Sequence, residues 1–281
     1  MNCQHRFRDW RAMRADLHTH TNWSDGTGSA RAMVCAAAQA GLDAVALTDH
    51  LTLPDAMDPH KECSVAENKL PALAQEAREA AQASSIDVFV GFECDWYPGC
   101  EKNIERWAHG ADLLLGSVHW IGNPSNGAWI DDPDDLHIWE ELGPDEVWRR
   151  YCGAWCAACE SPAAFDSMAH PDLPFRFASE GLAPTCDLSP LFRTMAECAH
   201  DTRRRVEVST AGLRKGAGAF YPCPDLLDAF VRAEVPVTFG SDAHRACDVG
   251  WGLERAHTYA WDHGVRAQEV PCAEGWRSVP L

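Results

Sequence analysis

Residues 14–20 read Arg-Ala-Asp-Leu-His-Thr-His, and this stretch sets a pattern that recurs along the chain. Arg14–His18 has the length and composition of a short strand, and it delivers His18 and His20 two positions apart. In extended backbone, residues i and i+2 point to one side, so both imidazoles can reach one ion. Further candidate strands are Ala44–Leu47, Asp87–Gly91, Asp112–Gly116, Ala164–Ala169, Arg205–Val208 and Val235–Phe239. Asp49 and His50 follow the second strand, Glu93 the third, His119 the fourth and His170 the fifth. Glu207 lies in the sixth, and Asp242 and His244 follow the seventh with the same i, i+2 spacing. Helical patterns over Ala30–Ala40, Val65–Ala83, Glu101–Ala108, Pro144–Cys159, Pro190–Thr202 and Pro224–Ala233 alternate with the strands. That alternation predicts an α/β fold with mostly parallel strands. Seven such units in 281 residues suit a β/α barrel better than an open sheet.

Barrel enzymes place their chemistry at the rim formed by the C-terminal strand ends. A lone His-x-His or a single buried histidine is ordinarily structural. The whole set, tracking strand ends, points instead to a metal site. Mixed nitrogen and oxygen ligands favour Zn, Mn or Fe over an oxygen-only Ca site. The candidates outnumber the roughly four ligands of one tetrahedral ion, so a multinuclear centre is expected. His5, His60, His109, His137, His200, His257 and His263 lack such a setting and read as surface or packing residues.

Composition narrows the partners. Lys and Arg number 24 against 42 Asp and Glu, a formal charge of −18 that argues against phosphate-backbone binding and hence against nucleic acid. The first 20 residues are polar and lack the apolar run of a signal peptide, and no run of about 18 apolar residues offers a membrane span. Thirteen cysteines cannot all pair within one chain, which fits reduced thiols and a cytoplasmic location. Cys152, Cys156 and Cys159 have a CxxxCxxC spacing that can hold an iron–sulfur cluster in a loop. Here the three fall at i, i+4 and i+7 of a helical segment, so they read as one packing face. The segment 121–142, with Asp131, Asp132, Asp134 and Asp135, reads as a long polar loop.

Seven ordered motifs carry a family resemblance: DLHTHTNWSDGTG from Asp16, LTDH, GFECD, GSVHW, AHPDL, EVSTAGLRKG and GSDAH ending at His244. They resemble the successive motifs of the PHP (polymerase and histidinol phosphatase) superfamily. GLRKG, YPCPDLL and GSDAH followed by VGWG most resemble its histidinol-phosphate phosphatases. The resemblance implies a distorted (β/α)7 barrel as a single domain over residues 1–281, with 245–281 as an extension packed on the barrel. It implies three divalent ions. His18, His20, Glu93 and Asp242 would hold the first; Glu93 would bridge to the second, with His119 and His170; Asp25, His50 and His244 would hold the third. Arg176 and Arg214 would bind phosphate. Trp23 stands where the family often has Tyr or Phe, which implies an altered pocket wall.

The chemistry expected of these parts is attack on phosphorus by a metal-bound hydroxide, in line with the leaving alkoxide. Arginine suits phosphate because its planar fork matches two oxygens. Asp16 and Asp49 flank ligand histidines and are expected to orient imidazoles. Asp172 and Glu207 are candidates for protonating the leaving group or gripping a substrate ammonium, with loop capping as the alternative for each. Ser209 and Thr210 either line the pocket or make local backbone bonds. The expected activity is a metal-dependent phosphatase acting on a small phosphorylated substrate, L-histidinol phosphate first, as in histidine biosynthesis. A phosphatase or phosphodiesterase for another small substrate such as a nucleotide, and a non-catalytic metal-binding module, stand as alternatives.

Overall fold

The computed structural model describes residues 13–281, so His5 and most of the polar N-terminal stretch lie outside the described residues. In chain order the elements begin β1 (Ala15–Asp16), α1 (Ala30–Gln39), β2 (Ala44–Leu47), α2 (Leu70–Gln82), β3 (Asp87–Val90), β4 (Phe92–Asp95), α3 (Glu101–Trp107) and β5 (Leu114–Ser117). There follow β6 (Trp120–Ile121), β7 (Ala128–Trp129), α4 (His137–Leu142), α5 (Pro144–Glu160), β8 (Ser167–Met168), α6 (Ser189–Thr202) and β9 (Arg205–Ser209). The chain ends with α7 (Ala211–Arg214), α8 (Pro224–Arg232), β10 (Val237–Gly240), α9 (Leu253–Asp262), β11 (Ala267–Cys272) and β12 (Gly275–Pro280).

Two parallel sheets form the centre, one ordered β1-β2-β3 and the other β10-β9-β8-β5-β4. The chain crosses from one to the other at Gly91, which alone separates β3 from β4; a Cβ there would collide with the backbone and side chain of Leu113. The sheets meet along both edges. At one, His50 and Glu93 form a parallel bridge and Leu51 N donates to Glu93 O at 2.9 Å. At the other, Thr19 bridges Ala243 and Leu17 N donates to Phe239 O at 2.9 Å.

Strand alternation sorts the core into two clusters. Val45 and Leu47 of β2 pack outward with the helices, while Ala44 and Ala46 face inward with Ala15, Leu17, Leu113 and Leu115. Val270 and Val279 of the antiparallel β11–β12 hairpin join that inner cluster. Proline begins α2, α5, α6 and α8, where its missing N–H costs nothing and its fixed φ favours the helix. In α5 the buried face is Trp148, Tyr151, Cys152, Trp155 and Cys159, with Cys156 at its edge against α6. The described cysteines are free thiols.

Two expectations are corrected. Residues 121–142 are not a continuous polar loop: β6 pairs with β7, α4 follows, and the buried Trp139 Nε1 donates to Ile130 O at 3.0 Å. Asp134 and Asp135 face solvent, while Asp131 and Asp132 are half-buried parts of a tryptophan-anchored excursion. The strand read as ending at Gly91 resumes as β4, which places Glu93 inside a strand rather than after one. Among the described residues, no helix is long and apolar enough to cross a membrane.

Candidate metal centre

Glu93 lies at the centre of the site. Its β4 strand is buried throughout, and its carboxylate faces five imidazoles. Oε2 lies 3.0 Å from His18 Nε2, 3.3 Å from His20 Nε2 and 3.5 Å from His50 Nε2. Oε1 lies 2.9 Å from His170 Nε2 and 3.6 Å from His119 Nε2. Asp242 Oδ1 approaches His20 Nε2 at 3.4 Å, and Asp25 Oδ2 approaches His244 Nε2 at 3.0 Å. The nine residues expected as ligands are thus brought together. Their donor atoms form four overlapping groups: His18, His20 and Asp242; His18, Glu93 and His170; His50, Glu93 and His119; and His20, Asp25, His50 and His244.

The donor chemistry fits divalent ions. His20 is fully buried, yet neither of its ring nitrogens makes a hydrogen bond, and His170 Nδ1 is likewise unpartnered. Burial alone would lower the His18 pKa, but the carboxylates of Glu207 and Glu93 raise it well above its ordinary value. His119 is pushed up to about 9, since Asp95 and neighbouring carboxylates outweigh its burial. Conversely, burial would raise Glu93 and Asp242, yet the surrounding imidazoles, with Lys215 beside Asp242, hold both well below the usual carboxylate range. Such a site binds protons tightly between its carboxylates and imidazoles, and divalent cations compete for those same seats. His170 and Asp242 hold φ of 23° and 53°, strained values for residues other than glycine, as is common where side chains are aimed at a functional centre.

The outer carboxylates differ from expectation. Asp16 does not touch an imidazole: it accepts from Ser241 N at 2.8 Å, Ser241 Oγ at 2.6 Å and Gly250 N at 2.7 Å. Asp49 accepts from the amides and hydroxyls of Thr21 and Ser24. Both brace the loops that carry ligands. Glu207 takes the imidazole role, accepting from His18 Nδ1 at 2.9 Å and from His170 N at 3.0 Å. It lies behind His18 and away from the cavity, so a role on the leaving group finds no contact here. Asp172 is also buried off the cavity, where it accepts from Cys223 N at 2.6 Å and burial raises its carboxyl to about 7. Ser209 and Thr210 make backbone-directed bonds, to Ala211 N and Trp251 O. Trp23 Nε1 donates to Glu76 of α2 at 2.8 Å, and the ring does not line the cavity.

A cavity of about 670 Å³ opens over the ligand cluster, a size suited to a small molecule. Arg176 and Arg214 both line it. Arg214 Nη2 donates to the carbonyls of Ser241 and Asp242, while its buried Nη1 has no partner. Arg176 Nη1 lies 3.4 Å from Asp131 Oδ2. The sequence reading passed over Lys215, whose Nζ donates to Asp242 Oδ2 at 2.9 Å and which lines the same wall; its position beside Arg214 was the available signal. It also passed over Asp95, two residues after Glu93, which accepts from both His50 and His119. Residues of segment 57–63, including His60, also line it, as do Trp129, Asp131 and Asp132 of the excursion and Arg245 and Asp248 beyond His244.

Comparison with known proteins adds to this picture. The PHP domain pattern matches residues 16–211. A Deinococcus radiodurans protein named "Probable histidinol-phosphatase" is 32% identical over 261 residues, covering 89% of this chain and 94% of its own. The solved hisK structure from Listeria monocytogenes superposes with a TM-score of 0.79 at 21% identity, over 86% of this chain and 99% of that one. Histidinol phosphate phosphatase from Lactococcus lactis, solved with Zn, L-histidinol and phosphate, gives 0.73 at 18% identity, over 94% of this chain and 98% of its own.

Proposed function

The chain belongs to the PHP domain family, and from that premise we propose that it is a metal-dependent phosphomonoesterase whose substrate is L-histidinol phosphate. The observation that carries this reading is Glu93 among five imidazoles, beneath a cavity walled by Arg176, Arg214 and Lys215. His18, His20, Glu93 and Asp242 would hold one divalent ion, Glu93, His119 and His170 a second, and Asp25, His50 and His244 a third. The parallel bridges at both sheet edges support a closed, distorted (β/α)7 barrel in one domain, with residues 245–281 packed on it. Free thiols throughout the described residues support a cytoplasmic setting.

When bound, such ions supply Lewis acidity and an activated water near neutral pH. The protein supplies the rest. Glu93 offers one oxygen toward His18, His20 and His50 and the other toward His119 and His170, which suits it to bridge two ions. Glu207 fixes the His18 ring through Nδ1 and leaves Nε2 directed at the centre. Arg214 is held by two carbonyls with Nη1 free, so a phosphoryl group meets a pre-oriented donor. Lys215 and Arg176 add positive charge to the same wall, which offsets the charge on the phosphoryl oxygens. Water oxygen bonds to phosphorus as the ester P–O bond breaks; one of the water's two protons stays with the phosphate formed and the other passes to the alkoxide, which leaves as an alcohol.

The test is a substrate panel with protein loaded with Zn or Mn. L-histidinol phosphate should be hydrolysed far faster than nucleoside monophosphates or aryl phosphates. Equal, feeble rates across the panel would overturn the substrate assignment.

A further inference from the structure

Asp95 ends β4, two residues after Glu93, and so shares its face of the strand. It is 3% exposed. Its Oδ1 accepts from His119 Nδ1 at 2.6 Å and its Oδ2 from His50 Nδ1 at 3.0 Å. Both bonds engage Nδ1, so both rings present Nε2 to the centre, 3.6 Å and 3.5 Å from the Glu93 carboxylate. The two rings lie edge to face with centroids 5.5 Å apart.

The other ligand rings are held differently. Glu207 spends its second oxygen on a backbone amide, and His244 Nδ1 meets the carbonyl of Asp242. Among the described residues, no carboxylate outside the ligand set other than Asp95 bonds two of these imidazoles. In the metal-centre reading, on which this inference rests, His119 and His50 serve different ions.

We propose that Asp95 is a positioning residue that couples those two ions: one carboxylate orients a ligand ring of each, so the two load and are lost together. Metal-binding histidines depend on such partners for tautomer and orientation. Sharing one partner makes the two dependences a single one. In Asp95→Asn the side chain keeps one acceptor, and its NH2 opposes the Nδ1–H of the other ring. That ring must turn or move its proton to Nε2, where it cannot ligate.

Zinc titration against a competing chelator, with metal counted by mass spectrometry, tests this. Wild-type protein should retain three zinc ions per chain. Asp95→Ala, which removes both acceptors, should lose two at a common chelator concentration, with their affinity reduced roughly 10- to 100-fold, whereas Asp95→Asn, which keeps one acceptor, should weaken only one of them. Unchanged midpoints in Asp95→Ala, or loss of one ion alone there, would overturn the proposal. A second measurement needs no variant: imidazole ¹⁵N NMR of the zinc-loaded wild type should show His50 and His119 both protonated at Nδ1. Ligation through Nδ1 by either ring would overturn it. Wild-type protein that binds no zinc would remove the metal-centre reading itself, whereas unchanged zinc binding in Asp95→Ala would remove only the coupling.

Discussion

Arg214 offers the sharpest test of phosphate recognition, because its guanidinium is divided between two tasks. Nη2 is committed to the carbonyls of Ser241 and Asp242, the second at 3.0 Å, and the arginine carbon lies 5.5 Å from the Trp251 ring centroid. Nη1 is buried and unpartnered, and the residue lines the cavity. Arg214→Lys keeps the charge but replaces the fork by a single nitrogen. That nitrogen can satisfy the carbonyls or a phosphoryl oxygen, and the carbonyls are already in place. Losing one pre-oriented donor to transition-state charge costs about 3 kcal/mol, which is roughly a 10²-fold fall in kcat/KM. Arg214→Ala loses the charge as well and should fall by about 10³-fold. The assay is steady-state hydrolysis of L-histidinol phosphate, with inorganic phosphate as product inhibitor and metal content measured in parallel. Asp242 retains its bond to Lys215, so metal content should hold while phosphate inhibition weakens. Wild-type kcat/KM in Arg214→Lys, or activity that falls only in step with lost metal, would refute the role.

Other consequences follow from the same geometry. Chelation should abolish hydrolysis and lower Tm by on the order of 10 °C, since ions present at 1,000-fold over Kd stabilise by about 4 kcal/mol; Zn or Mn should restore both, as scanning calorimetry and activity would show. Glu207→Gln should weaken metal retention roughly 10- to 100-fold while KM at saturating metal stays unchanged; a raised KM with normal metal content would return Glu207 to the substrate. Val270→Ala, in the fully buried hairpin residue, should cost about 2 kcal/mol in denaturant unfolding while leaving kcat unaltered at 25 °C.

The parts of the fold legible in the sequence were those carried by short-range periodicity. Ala44–Leu47 is an unbroken apolar run, and it forms a strand buried on both faces. Cys152, Cys156 and Cys159 repeat at helical spacing and lie on α5 as read. Eight of the nine metal-capable residues were legible because strand ends converge, whatever lies between them; the ninth, Asp25, came only from the family resemblance. What was illegible depended on which way a buried carboxylate turns. Asp16 and Asp49 sit beside ligand histidines in sequence, yet loop amides claim them. Asp95, remote in sequence from His50 and His119, reaches both because β4 pairs with β5 and lies beside the end of β2. The i, i+2 rule applied to His18 and His20 would have found it from Glu93. The β11–β12 hairpin escaped notice because Pro271, Arg277 and Ser278 interrupt its alternation, and Val270 and Val279 are its buried apolar contribution to the inner core, with Trp276 packed against it. Tryptophans at 129 and 139 outweighed the aspartates of 131–135 in shaping that excursion.

Anomalous diffraction at the zinc edge, from crystals grown with zinc and phosphate, tests the central claim most directly. The account predicts three peaks around Glu93, within coordination distance of the nine named side chains, and a phosphate between them and Arg214 Nη1. Peaks lying away from Glu93, or a single ion bound without it, would contradict the account.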